Sequence, residues 1–239
     1  MKLAVLVKSC HRDLDSGCHD AIRTTWGRDL KTLGVETCFF VGRDPSQQDT
    51  RRVRRYSSDE VVVDCQDNYD SLPTKTRRMC QWVGNKMFKH VFLCDTDTLI
   101  NAKVLLSSGF ESFDYAGRFI KVGTYPGSPP FRYQDERGET YSECRAWASG
   151  GWGYFLSRRA AELIASTPVS GWAEDLFVGQ VLAPMIDDKT FTGANLDVNT
   201  LGTSHYPRNV STPYKPEFMK MAMEAGSFDA LFRTGKLVA

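Results

Sequence analysis

An α/β fold on a mostly parallel sheet, flanked by helices, is what this sequence predicts, and three observations carry that reading. Short apolar runs alternate with stretches of helical period along the first hundred residues, the pattern of strand, crossover helix and parallel strand. The runs are apolar throughout, as strands covered on both faces are. One of them, His90-Val91-Phe92-Leu93-Cys94, ends abruptly on Asp95-Thr96-Asp97, and open α/β sheets bind ligands at the carboxyl ends of such strands.

Taken in order, residues 3–7 (Leu-Ala-Val-Leu-Val) read as a central strand. After a polar loop over 9–16, Cys18, Ile22, Trp26, Leu30 and Leu33 predict one crossover helix, closed by Gly34. Residues 37–41 form a second strand, stopped by Gly42 and the Asp44-Pro45 turn, and Val61-Val62-Val63 a third. The basic cluster Arg51-Arg52-Val53-Arg54-Arg55 between them reads as a solvated face. A helix over 75–89, with Met79, Trp82, Val83 and Met87 on one side, delivers the chain into the strand ending at Asp95.

Beyond Asn101 the pattern changes. Residues 113–117 are a further strand, and 125–138, rich in Pro, Gly and aromatics, read as a long loop, a candidate wall or lid. Glycines and aromatics mix over 147–157, ahead of a helix over 158–166. Leu176, Val178, Val181 and Leu182 predict a buried helix with Glu174-Asp175 in its first turn; a turn region (207–216) and a helix over 217–232 follow.

Thirty Lys and Arg against 29 Asp and Glu leave a net charge of +1, so no overall field recruits nucleic acid or an anionic membrane. No stretch has the length of a membrane span. Seven cysteines, without Cys-x-x-Cys spacing, fit buried free thiols in a reducing compartment better than a zinc site or a disulfide framework.

Several side chains could carry chemistry. Asp95 and Asp97, two residues apart in a strand, would share a face and suit a hard divalent ion. Gly150 and Gly151 precede the apolar run instead of linking a strand to a helix, which excludes a phosphate-cradling loop and leaves close approach of a ligand or of another backbone. On local evidence Glu174-Asp175 reads first as helix-dipole capping, and His205, in the tail with Asp197, as a solvated loop histidine.

Together these segments resemble the β-1,3-glycosyltransferases that include the Golgi β-1,3-galactosyltransferases, the related N-acetylglucosaminyltransferases and the Fringe proteins. Ala21-Ile22-Arg23-Thr24-Thr25-Trp26-Gly27 is similar to that family's Ile-Arg-x-Thr-Trp segment, and Phe39-Phe40-Val41-Gly42 to its second strand. Asp64 to Tyr69 with Leu72-Pro73-Thr74-Lys75-Thr76 resembles its Asp-x-x-Asp-x-Tyr-x-Asn-Leu-Thr-x-Lys-Thr block, with Ser71 in place of Asn. Asp95-Thr96-Asp97 stands where the family has its metal motif, with Thr96 in the middle. Ser149 to Ser157 is similar to its Gly-Gly-x-Gly-Tyr-x-Leu-Ser stretch, and Glu174-Asp175-Leu176-Phe177-Val178-Gly179 to its Glu-Asp-Val-x-x-Gly motif.

The resemblance implies a single GT-A domain over 1–239, with a nucleotide-sugar-binding half (1–101) continuous with an acceptor-binding half and tail (102–239). It implies inverting, metal-dependent transfer of a hexose or N-acetylhexosamine from a UDP-sugar to a glycan or glycoconjugate hydroxyl, with a β-1,3 linkage. The resemblance makes Asp97 and His205 metal ligands, preferably for Mn²⁺ (or Mg²⁺), Asp95 a partner of the ribose or of a metal-bound water, and Asp175 the general base. Gly150, Gly151, Trp152 and Glu174 belong to the same expected pocket; Arg23 and Lys75 would contact the diphosphate or neighbouring acids, and Lys8-Ser9 the uracil. A metal-dependent nucleotidyltransferase and a non-catalytic sugar-binding protein are the alternatives. With Met1 as native start the expected location is the cytoplasm; for a trimmed chain it is the Golgi lumen.

Overall fold

In the computed structural model the residues described are 3–44, 55–119, 125–207 and 210–233. The first apolar run forms β1 (Leu3–Lys8), buried along its whole length. A short α1 (His11–Asp15) occupies the expected polar loop, followed by α2 (Cys18–Thr24) and α3 (Trp26–Thr32). The sequence predicts one helix here, and the break at Thr25 has a packing cause. The Thr25 hydroxyl donates to the Ala21 carbonyl at 2.6 Å, and a Cβ on Gly27 would lie 2.7 Å from the Ile22 carbonyl oxygen, so the two helices meet closer than any side chain allows.

The chain continues through β2 (Glu36–Val41), β3 (Glu60–Val62), α4 (Leu72–Gly84), β4 (His90–Asp95), β5 (Thr98–Ile100) and α5 (Ala102–Leu106). Helix α4 starts and stops earlier than its periodicity predicts: Pro73 pre-sets the first turn, and Met87 lies beyond the end, in solvent. Arg51 to Arg54 of the basic cluster lie outside the described residues; Arg55 is exposed.

Then come β6 (Tyr115–Gly117), β7 (Phe131–Gln134), β8 (Thr140–Cys144), β9 (Tyr154–Ser157), α6 (Arg158–Ser166) and α7 (Glu174–Asp187). Strands β7 and β8 form an antiparallel hairpin where a structureless loop was expected. Alternation explains it: Phe131 and Tyr133 turn toward Trp147, while Arg132 and Gln134 face water. Four residues of alternation are too few to stand out among the Pro and Gly around them. The tail adds β10 (Gly193–Asn195), α8 (Val198–Leu201), β11 (Thr203–His205), α9 (Glu217–Ala225) and α10 (Phe228–Arg233). Gly226, left-handed at φ 89°, splits the expected last helix into α9 and α10.

Seven strands make the central sheet in the order β10-β6-β9-β4-β1-β2-β3. It is mainly parallel, with β9 running antiparallel between β4 and β6. Both halves of the chain supply strands, β1 to β4 from the first and β6, β9 and β10 from the second. Alternate residues of β1 explain its unbroken hydrophobicity. Leu3, Val5 and Val7 pack on the α2–α3 and α9–α10 side, while Ala4 and Leu6 pack on the side of α4, α6 and α7. Among the described residues no helix is long and apolar enough to cross a membrane.

Candidate active site

The site forms where β1 and β4 end. Asp95 closes β4, but Thr96 and Asp97 form a turn into β5, so the two carboxylates converge through a reversal of the chain and not along one strand face as expected. Strand β11 pairs antiparallel with β5 and sets His205 opposite Thr98. That pairing brings His205 Nε2 to 3.2 Å from Asp97 Oδ1. One ligand atom each from Asp95, Asp97 and His205 lies within 4.8 Å of the others. Two carboxylates and an imidazole, half-buried around one point, fit a six-coordinate Mn²⁺ or Mg²⁺ that keeps positions for ligand oxygens. Gly151 belongs to this cradle, because a Cβ there would fall 2.6 Å from His205 Nε2. Thr98 locks the turn to the glycine loop, its hydroxyl donating to the Gly151 carbonyl at 2.7 Å and accepting from the Asp95 N–H at 3.1 Å.

Beneath lies a buried ion network. Lys8 stands beside Asp95 in the β1–β4 register, 3% exposed, with its ammonium 3.2 Å from Asp95 Oδ1 and bonded to Glu174. It also reaches the Gly150 carbonyl at 3.5 Å. Burial works against the ammonium, yet Asp95, Glu174 and Asp175 outweigh it and hold Lys8 charged. The second oxygen of Glu174 accepts the Tyr154 hydroxyl at 2.7 Å and the Thr76 hydroxyl at 3.3 Å. Gly150 leaves no room for a side chain, since a Cβ would lie 2.1 Å from Glu174 Oε1.

Asp175 opens α7, and its Oδ2 accepts the Gly150 N–H at 3.1 Å. A helix start lowers a carboxyl pKa, but burial is the larger effect and pushes Asp175 up, with Asp95 adding to it and the Gly150 and Leu176 N–H groups opposing. A carboxylate raised in this way is a better proton acceptor. Asp95, Asp97, Asp175 and His205 all line one cavity of about 790 Å³, whose far wall carries Tyr69 and Trp172.

A model of the galactosyltransferase family matches residues 19–187, more than half of the chain. The chain belongs to the galactosyltransferase family. No curated protein matches it closely in sequence. Among solved structures, the mannosyltransferase PcManGT from Pyrobaculum calidifontis, in complex with GDP-Man and Mn²⁺, is similar with a TM-score of 0.50 at 10% identity, over 87% of this chain and 58% of that one. The inositol-1-phosphate CTP transferase from T. maritima follows at a TM-score of 0.41 and 14% identity, over 81% and 83% of the two chains. The fold shared with the mannosyltransferase is GT-A-like, and family membership makes the protein a glycosyltransferase.

Other residues that the sequence nominated in this galactosyltransferase-family chain do not line the cavity and are engaged by other groups. Arg23 is held by Asp59, Glu60 and Asp20, so its charge goes to neighbouring acids and not to a diphosphate. Lys75 is buried on Asp67 and the Ser9 carbonyl. The Ser9 hydroxyl lies 2.7 Å from His19 Nε2, whose other nitrogen is 2.9 Å from Glu60, so it belongs to a buried relay. Lys8 is likewise consumed by carboxylates. Trp152, Gly150, Gly151 and Glu174 do line the cavity.

Sequence reasoning gave no role to Tyr154, Thr76 or Thr98. Tyr154 and Thr76 sit inside the very motifs that carry the family resemblance, a usable signal; Thr98 left none. Asp197, singled out with His205, caps α8 through the Asn199 and Thr200 N–H groups.

Proposed function

We propose that this glycosyltransferase transfers a hexose or N-acetylhexosamine from a UDP-sugar to a hydroxyl of a glycan acceptor, with inversion and with a β-1,3 linkage. The observation that carries the reading is the glycine loop 150–151, which seats the ligand cluster on one side and the raised carboxyl of Asp175 on the other, within a single cavity. Asp97, His205 and Asp95 would hold Mn²⁺ or Mg²⁺. When bound, the ion neutralises charge on the departing diphosphate. Asp175 takes the proton of the acceptor hydroxyl at its Oδ atoms while that oxygen attacks the anomeric carbon, and the far face of the sugar loses its diphosphate. Lys8 and Glu174 hold Asp95 and the loop still during this exchange. Residues 1–101 supply most of the donor half, which His205 and the glycine loop complete, and the rest of 102–239 the acceptor half, including the base.

The family match selects glycosyl transfer over nucleotidyl transfer. Seven cysteines with no disulfide among the described residues, six of them buried, support work in a reducing compartment. Incubation with Mn²⁺ and a panel of UDP-sugars, following UDP release with and without glycan acceptors, tests the proposal. Acceptor-stimulated UDP release is expected; no release from any UDP-sugar overturns it and returns a non-catalytic sugar-binding protein.

A further inference from the structure

A second cavity of about 670 Å³ lies next to the first, between the C-terminal end of α3, the start of α5 and the α9–α10 corner. Its size falls in the range of small-molecule sites, ~300–1,000 Å³. Trp152 and Asp229 line both cavities, so the two adjoin at the Trp152 ring. Arg118 stacks on that ring at 4.2 Å, and His205 stands 6.4 Å away, centroid to centroid.

The chemistry of the walls is that of a neutral, hydroxyl-rich ligand. The charged side chains balance, Asp29 and Asp229 against Lys103 and Arg233, so no net field selects an anion or a cation. The α5 N-terminus that borders it is already capped, Asn101 accepting the Val104 N–H at 3.3 Å, and offers no phosphate site. Thr203 also lines the cavity, although its own hydroxyl is enclosed by protein, with no hydrogen-bond partner among the described residues. An indole beside amide and hydroxyl groups is how proteins present an apolar surface and polar anchors to one ligand.

We infer that this cavity is a second saccharide subsite, which takes units of a neutral glycan remote from the unit that reacts. The inference rests on the glycosyl-transfer reading for its ligand class but not for its test. Thr32 and Asn199 are exposed lining residues on α3 and α8, so a bulky side chain at either narrows the groove without entering the core. Wild type, Asn199→Trp and Thr32→Trp are applied to a microarray of neutral mono- to hexasaccharides. Wild-type binding is expected to rise at least about tenfold from monosaccharide to tetrasaccharide, on the scale of one added set of contacts, and both variants to lose that rise. Binding independent of chain length, a rise kept by both variants, or no glycan bound by wild type each overturns the inference. UDP release from a UDP-sugar without acceptor, measured on the same samples, is expected to be equal in all three proteins. Absence of release from wild type both with and without a glycan acceptor refutes glycosyl transfer from that donor, while the dependence of binding on glycan length still decides the subsite.

Discussion

Lys8→Met removes the buried cation under the site and tests whether Lys8 is the keystone between Asp95 and the glycine loop. The methionine fills nearly the same volume, so the loss is electrostatic. Glu174, 6% exposed, would keep its bonds from Tyr154 and Thr76 but lose its counter-charge, with Asp95 and Asp175 close by. Breaking a buried pair at one end costs about 3–5 kcal/mol, against a total stability of about 5–15 kcal/mol for a domain. The variant should therefore fold with a visibly lowered urea midpoint. Its deficit should shrink as pH falls: the unpaired Glu174 carboxyl is raised further in the folded state than in the unfolded one, so the native state takes up the extra proton and gains stability toward low pH. Adding Glu174→Gln removes the stranded charge and should recover about half of the loss in a double-mutant cycle. A Lys8→Met loss under about 1 kcal/mol at pH 7, or no recovery in the double variant, would refute the network.

Asp97→Ala should abolish the Mn²⁺-dependent part of UDP binding by calorimetry; unchanged affinity would remove Asp97 from the metal site. Gly151→Ala should weaken the same affinity by about tenfold or more, the scale for disturbing a ligand's support, because its Cβ meets His205 Nε2 at 2.6 Å. Asp175→Asn should keep UDP-sugar binding and lose about a hundredfold or more in turnover, read by stopped-time UDP release. Acid should act through Asp67. Burial would raise this carboxyl, but bonds from Lys75 and the His11 and Gly42 N–H groups bring it down to about 2. A depressed carboxyl contributes stability above its unfolded pKa that is lost as pH falls toward the folded value. Urea titrations should thus show about 1–2 kcal/mol lost between pH 5 and pH 2 that Asp67→Asn no longer loses.

The strands that frame the site were legible because burial on both faces leaves an unbroken apolar run, and the carboxylates of Asp95 and Glu174-Asp175 stood at the ends of such elements. The hairpin β7–β8 was hidden because its signal is four alternating residues whose partner, Trp147, lies beyond the turn. The break at Thr25 was hidden because a helical stripe continues across it, and only the close approach of Gly27 to Ile22 shows it.

By itself the sequence determined the α/β class, the strand ending at Asp95 and the family motifs around Gly150 and Asp175, since local pattern encodes which faces are buried. Tertiary structure decided the rest. His205 joins Asp97 only because β11 pairs with β5 across about a hundred residues. Lys8, expected at a uracil, is instead sealed among carboxylates that two separate segments, β4 and α7, bring to it. The proton affinity of Asp175 rises rather than falls, because the desolvation that outweighs its helix dipole comes from packing far along the chain.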